Sequence, residues 1–545
     1  MPESSGIFEK DTQMTNATAY MTRQSDATSV LASEDGGAAE RWPRPAFWIT
    51  ASAALALGLV LVYEGIHLGF FHGRNEIDDG IYYGEGVMLA HGILPYRSYV
   101  DVQPPGMALL MAPFGLLGRL TNNRTGFEAA RVFVVIVSMA NIGLLGRLVR
   151  RRHWVGVLVG VVTLGFYVDS LTADHTVLLE PFLVFGTLLG LLFVFDDTEI
   201  ATSSTTRWLA AGVILGLTTS IKLWGAFPLL VLLAFAAWRG GRRCVTHYLV
   251  GAVAAIAIVC VPFVVLAPGT FVREVVLVQV TRSHAGYNSE AYRLMNLLGA
   301  TVHAKVFAAL WLPTALWFVV AVIIAASIVF QRRVDPSRAT TNLDVCAVAC
   351  LVVVGASFLV APEFDTHYGG FLALFFALVL SATAVRLLPL ARPLMTIAIV
   401  GAMLALFVVS VHHVIQQAKE PLPTAALDRT FSPTACVVSE DYGPLILANR
   451  YNLYEPQCPH ILDIYGTELT DANGAAGAVS DDSAPKLQGD WLDWLHRADG
   501  LVLLTPLSRY VGIGPSAQSY IRSHFSLSAV SDGLYIYSRV QSGQK

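Results

Sequence analysis

Apolar runs recur along most of the chain, and many of them approach the roughly 20 residues needed to cross a bilayer. Hydrocarbon offers no partner for a backbone amide, so such runs are forced into helices. Charged residues make up only 14% of the sequence and mean hydropathy is +0.56, where ordinary soluble domains are about 25% charged. A polytopic α-helical membrane protein is therefore the expected fold class. The net charge of −4 gives no footing for nucleic acid as a partner.

The Arg clusters orient the runs. Residues 1–42 are rich in Ser, Thr, Ala, Glu and Asp without apolar periodicity, and read as a disordered cytoplasmic N-terminus. The 46–71 run is too long, and starts too late, to be a cleaved signal peptide. Further spans are expected at 132–148, 154–171, 182–195, 208–221, 223–238, 248–266, 306–330, 343–360, 370–385 and 395–414. That makes about eleven in a membrane domain over 43–418, with long outer loops at 72–130 and 267–305. Arg147, Arg150–Arg152, Arg239, Arg242, Arg243, Arg332, Arg333, Arg386 and Arg392 then all fall on the cytoplasmic side. The C-terminus falls outside, and the preference for Arg over Lys hints at a bacterial plasma membrane.

Residues 419–545 are polar, with strand-like runs at 435–439, 460–464, 500–505 and 534–537 separated by helix-like stretches. Such alternation predicts a small extracytoplasmic α/β domain. Cys436 and Cys458 lie in it, and on the oxidising side of a membrane they could pair. The other four cysteines sit in or beside apolar runs and read as small buried hydrophobes. No Cys/His spacing suggests zinc.

Directly after the first run comes Arg74-Asn75-Glu76-Ile77-Asp78-Asp79-Gly80. Three carboxylates in four residues at a membrane boundary are costly to desolvate. The stretch Asp78-Asp79-Gly80-Ile81-Tyr82, the turn Gly92-Ile93-Leu94-Pro95-Tyr96 and the element Gln103-Pro104-Pro105-Gly106 together resemble the first outer loop of GT-C membrane glycosyltransferases. The protein O-mannosyltransferase and aminoarabinose-transferase-like families, which take sugar from a polyprenyl phosphate, are the most similar. Weaker echoes are Leu179-Glu180-Pro181, Gly216-Leu217 with Lys222, and His367-Tyr368. Asp79 stands where Glu is commoner in those families, and Gln103 where Lys often sits. Another cation must then meet the donor phosphate, and the candidates are Arg74, Arg97, Lys222, Arg282 and Arg293.

The resemblance implies transfer of a sugar from a polyprenyl-phosphate donor to a hydroxyl of a lipid, glycan or protein at the outer face, with inversion. Asp78 would be the general base and Asp79 its helper or a cation ligand. The competing readings are a surface or capping Asp78 and an N-cap role for Asp79. Asp101 is a second acidic site residue or a turn residue. Arg74 and Arg97 bind phosphate or snorkel. Lys222, an ammonium between two spans, needs an anionic partner. Arg282, His284 and Arg293 face phosphate or lipid headgroups. His175 and Glu180 position sugar or cap a span; His367 and Tyr368 line a lipid groove or sit at the interface. A divalent cation at Asp78/Asp79 is open, since no full ligand set is legible. Two other classes compete: a membrane protein that binds cell-envelope glycan without catalysis, and a lipid or sugar transporter.

Overall fold

The computed structural model describes residues 43–540 except 68, 70, 196–200, 283–289, 298–340, 363, 391, 417–423, 454–456, 472–484 and 508–512. The N-terminal segment 1–42, the expected span at 306–330, His284 and Glu363 lie outside the described residues. Among the described residues, six helical segments are long and apolar enough to cross a membrane: Arg44–His67, Asn123–Val149, Leu223–Leu266, Asn342–Val360, Thr366–Leu387 and Arg392–Gln416. The Leu223–Leu266 segment divides at Gly241, whose φ of +72° turns the chain at little steric cost.

The expected count of about eleven is therefore not matched by long helices alone. Gly106–Leu120, Trp154–Phe166 and Glu180–Val194 are apolar but short. At 1.5 Å per residue, 13 to 15 residues rise only about 20–23 Å, against a hydrocarbon core of about 30 Å. The expected span at 154–171 stops at Phe166 because Tyr167 adopts an extended conformation, and a separate helix, Val168–Ala173, follows.

The 72–130 loop folds tightly. Its first helix, Ile77–Ala90, is buried on nearly all sides. It crosses Gly106–Leu120 at a glycine pair. A Cβ on Gly115 would lie 2.2 Å from the Gly86 carbonyl oxygen, so only glycine lets the two backbones meet there. The Asn123–Val149 helix begins nine residues earlier than expected. Asn122 caps it, accepting from the Thr125 amide at 3.0 Å.

The C-terminal segment carries a four-stranded sheet of β1 (Val437–Ser439), β2 (Gly500–Leu503), β3 (Phe525–Ser531) and β4 (Leu534–Arg539), in the order β1-β2-β4-β3. β1 runs parallel to β2; β4 is antiparallel to both its neighbours. The β3–β4 turn is Asp532-Gly533 with both φ values positive, the geometry that suits the twist of a tight hairpin. The 460–464 run is not a strand. It leads into the Ile464–Asp471 helix, and its Leu462 packs on Gly84.

One apolar core runs through the long helices, and a second joins the Ile77–Ala90 helix to the C-terminal segment through Tyr83, Val87, Leu445, Leu462 and Trp491. A Cβ on Gly80 would meet the Gly443 amide nitrogen at 2.6 Å, backbone against backbone. Gly80→Ala is therefore expected to push the C-terminal segment off the 77–90 helix. Faster limited proteolysis after residue 420, in membranes that still hold the protein, would register the change; an unchanged digestion pattern would contradict it. Cys436 and Cys458 are disulfide-bonded, 22 residues apart. Reduction is expected to destabilise this segment by about 3 kcal/mol, the loop-closure value for such a separation, read as an earlier thermal transition with reductant than without.

Candidate active site

Asp78 and Asp79 occupy the first turn of the 77–90 helix, where the helix dipole favours negative charge. Successive helical residues point about 100° apart, so the two carboxylates leave the helix in different directions. Asp79 turns into the protein and accepts from Arg131 Nε at 3.1 Å and Nη2 at 2.5 Å. The Val177 amide donates to its other oxygen at 2.7 Å, and Asn75 Nδ2 approaches at 3.4 Å. Arg131 also donates to the Phe71 carbonyl at 2.6 Å and lies 4.1 Å above the Phe127 ring. Both charged side chains are 1% exposed. The oxygens of Asp79 thus tie three segments of the fold together.

Asp78 points elsewhere and is half-buried. Tyr82, one turn on, donates its hydroxyl to Asp78 Oδ2 at 2.9 Å. Lys222, His367 and Asp365 lie close enough to act on its charge, and Asp463 of the C-terminal segment is close enough to feel it. Removal from water pushes the Asp78 carboxyl above its ordinary value; His367 and Lys222 oppose that shift, and Asp365 adds to it. Burial likewise raises Asp463, to about 6, with the Asp78 charge contributing.

Lys222 follows the C-terminal end of the Thr205–Ile221 helix in extended conformation. Its ammonium donates to Glu180 Oε1 at 3.2 Å and lies 3.8 Å from the Trp224 ring centre and 4.3 Å from that of Tyr368. Cation–π contacts of this kind hold a charge firmly when water is excluded. His367 Nε2 sits 4.0 Å from the same Glu180 oxygen. Four expected site residues, Glu180, Lys222, His367 and Tyr368, thus converge beside Asp78 from three separate parts of the sequence.

The remaining expected residues divide. Arg74 pairs with Asp441 of the C-terminal segment at 2.7 Å, so it docks that segment. Arg293 donates to the carbonyls of Phe358, Leu359, Ala361 and Pro362. It caps the C-terminal end of the Asn342–Val360 helix, where a cation meets unpaired carbonyls and the negative dipole end. His175 pairs with Glu64 of the first span at 3.4 Å. Arg97 is exposed on the Pro95–Tyr99 turn. Gln103 engages through its backbone: its amide donates to Asp101 Oδ1 at 2.8 Å and its carbonyl accepts from Tyr96 at 2.6 Å. Arg282 lies over the Tyr465 ring and acts on Asp463. Asp101 is buried near Glu85 and Glu274.

Sequence reasoning missed Arg131, Glu85, Glu274, Asp441 and Asp463. Glu85 had a signal, since it stands seven residues after Asp78 and three after Tyr82, on one helix face. Arg131 and Asp463 had none, because their partners lie far away in sequence. Among the described residues, no group of three or more His, Cys, Asp or Glu side chains is placed to hold a metal ion.

Residues 102–362 match the family model of Glycosyltransferase family 87. The fold is similar to that of ArnT from Cupriavidus metallidurans bound to undecaprenyl phosphate, with TM-score 0.54 and 13% identity over 91% of this chain and 98% of that one. It is similar also to the same protein in the apo state, with TM-score 0.50 and 14% identity over 89% and 98% of the two chains. At these identities the likeness is one of fold. No curated protein matches the chain in sequence. The resemblance to GT-C membrane glycosyltransferases read from the 72–130 loop is borne out; the family match supports a glycosyltransferase, and the long apolar helices support a multi-pass membrane protein.

Proposed function

We propose that the chain transfers a sugar from a polyprenyl-phosphate donor to an acceptor hydroxyl at the outer face of the membrane, with Asp78 as general base and inversion at the anomeric carbon. The observation that carries this reading is the placement of Asp78, alone of the two adjacent carboxylates, close enough to Lys222 and His367 to feel their charge. A base and a cation set close to each other suit a displacement in which a hydroxyl loses its proton as a phosphate ester departs. The leaving phosphate is already a good anion, so the site needs positive charge more than an acid. The bound undecaprenyl phosphate of the ArnT structure supports this class of donor.

Lys222 takes the part that a Lys at position 103 would have played. Glu180 and two aromatic faces hold its ammonium ready, and a donor phosphate would compete with Glu180 for it. Lys222→Met is expected to lower kcat/KM by about 10²-fold or more, in the range for one electrostatic group at a developing charge. Donor turnover by the purified variant tests this, and near-wild-type kinetics would reassign the phosphate site.

The pH profile tests the base separately. A carboxylate base works only when ionised, so log kcat/KM rises with pH through the Asp78 pKa. That acid limb is expected above the ordinary Asp value of about 3.9, because burial raises this carboxyl. Lys222 lowers it, so Lys222→Met moves the limb to still higher pH. A limb that stays fixed, or moves to lower pH, would mean that another group takes the proton.

A further inference from the structure

Next to Asp78 the loop and the C-terminal segment enclose a set of polar atoms that the proposed mechanism does not use. Glu85 and Asp101 are 2% and 4% exposed, yet among the described residues Glu85 Oε2 and Asp101 Oδ2 accept no hydrogen bond. The hydroxyls of Tyr99 and Tyr451, residues 7% and 8% exposed, are also without partners among the described residues. Glu85 feels Asp101, Asp463 and Asp78; Tyr99 feels Asp101, Glu85 and Tyr451. The four atoms therefore belong to one neighbourhood, contributed by the 77–90 helix, the turn after it and the C-terminal segment. A buried polar atom without a partner costs about 1–3 kcal/mol, so four in one place need a common reason.

We propose that this neighbourhood is the acceptor subsite, and that it takes a neutral polyhydroxyl ligand, the sugar end of a glycan. The inference rests on the transferase reading for the word acceptor; the ligand chemistry stands on the four atoms. Carboxylate oxygens accept from sugar hydroxyls, and phenol hydroxyls both donate and accept. A sugar ring offers several such groups on neighbouring carbons, with C–H faces for the Tyr442 and Tyr451 rings, which pack edge to face at 5.3 Å. A phosphorylated acceptor would bring its own charge into a buried setting beside Asp78, which favours an uncharged ligand. A metal ion lacks a ligand set among the described residues. Burial raises both Glu85 and Asp101, which weakens their pull on a cationic group and leaves their hydrogen bonding to hydroxyls intact.

Two measurements on the purified full-length protein test the proposal. Direct binding would use methyl glycosides of neutral hexoses and pentoses, their 6-phosphates (5-phosphates for the pentoses) and their amino-sugar counterparts. Binding of a neutral glycoside, weakened tenfold or more by Glu85→Gln, Asp101→Asn and the mild Tyr99→Phe, is the expected result. Failure of every neutral glycoside to bind, tighter binding of a phosphate or amine, or unchanged affinity in all three variants overturns it. The second measurement follows turnover of a polyprenyl-phosphate sugar, to the bound glycoside and to water. Here the variants should raise the KM for acceptor more than they change the KM for donor or the slow transfer to water; equal loss of both reactions overturns the assignment. Lack of any donor turnover, with neutral-glycoside binding intact, would sink the transferase reading and spare the subsite.

Discussion

Asp78→Asn is expected to abolish measurable sugar transfer, a loss on the order of 10²–10⁴-fold for removal of a positioned general base. The substitution keeps the shape and the hydrogen bond from Tyr82 but cannot accept the acceptor's proton. Donor affinity should persist, because Lys222 and His367 are untouched. Two controls make the result specific. Thermal unfolding in detergent should stay near wild type, since Asp78 is half-buried and ties no segments together. Glu180→Gln should leave the base in place and act through Lys222, raising donor affinity because the phosphate no longer competes with a carboxylate for that ammonium, with a smaller effect on the catalytic step. Transfer by Asp78→Asn at even a third of the wild-type rate would remove Asp78 from the mechanism.

The second large effect falls on stability. Arg131→Met would leave Asp79 buried and charged with its main partner gone. Breaking a buried pair from one side costs about 3–5 kcal/mol, so the variant should unfold well below wild type or fail to accumulate. Asp79→Asn should be damaging for the mirror reason, stranding the Arg131 guanidinium. The double variant, Asp79→Asn with Arg131→Met, should recover a substantial part of the loss, since neither charge is then left without a partner. If the two single losses simply add in the double variant, the Asp79–Arg131 contact is not what the residues are there for.

The sequence was most informative where chemistry and local pattern coincide. Asp78, Glu180, Lys222 and His367 each stand at the end of an apolar run, and each was expected at the site. Helical phase was the step not taken: adjacent residues of a helix point about 100° apart, and here Asp79 turns into the bundle onto Arg131. Arg293 could not be told from a phosphate ligand, because a cation near a loop looks the same whether it meets a phosphate or the four carbonyls at a helix end. The bundle itself was plain from hydropathy, but span counts were not, since a 13-residue apolar helix and half of a longer run read alike. In the C-terminal segment the 460–464 run is apolar because it packs against the 77–90 helix. The Ser-rich strand Phe525–Ser531 is exposed along most of its length, so it gave little apolar alternation to read.

The central claim is the lipid-linked donor. The direct measurement incubates purified protein with a panel of polyprenyl-phosphate hexoses and pentoses, alongside the corresponding nucleotide sugars, and follows the release of free polyprenyl phosphate with labelled sugar appearing on an extracted acceptor. One polyprenyl-phosphate sugar is expected to be consumed, no nucleotide sugar to be used, and the product linkage to be inverted relative to the donor. Transfer from a nucleotide sugar, or a product with retained configuration, would contradict the account.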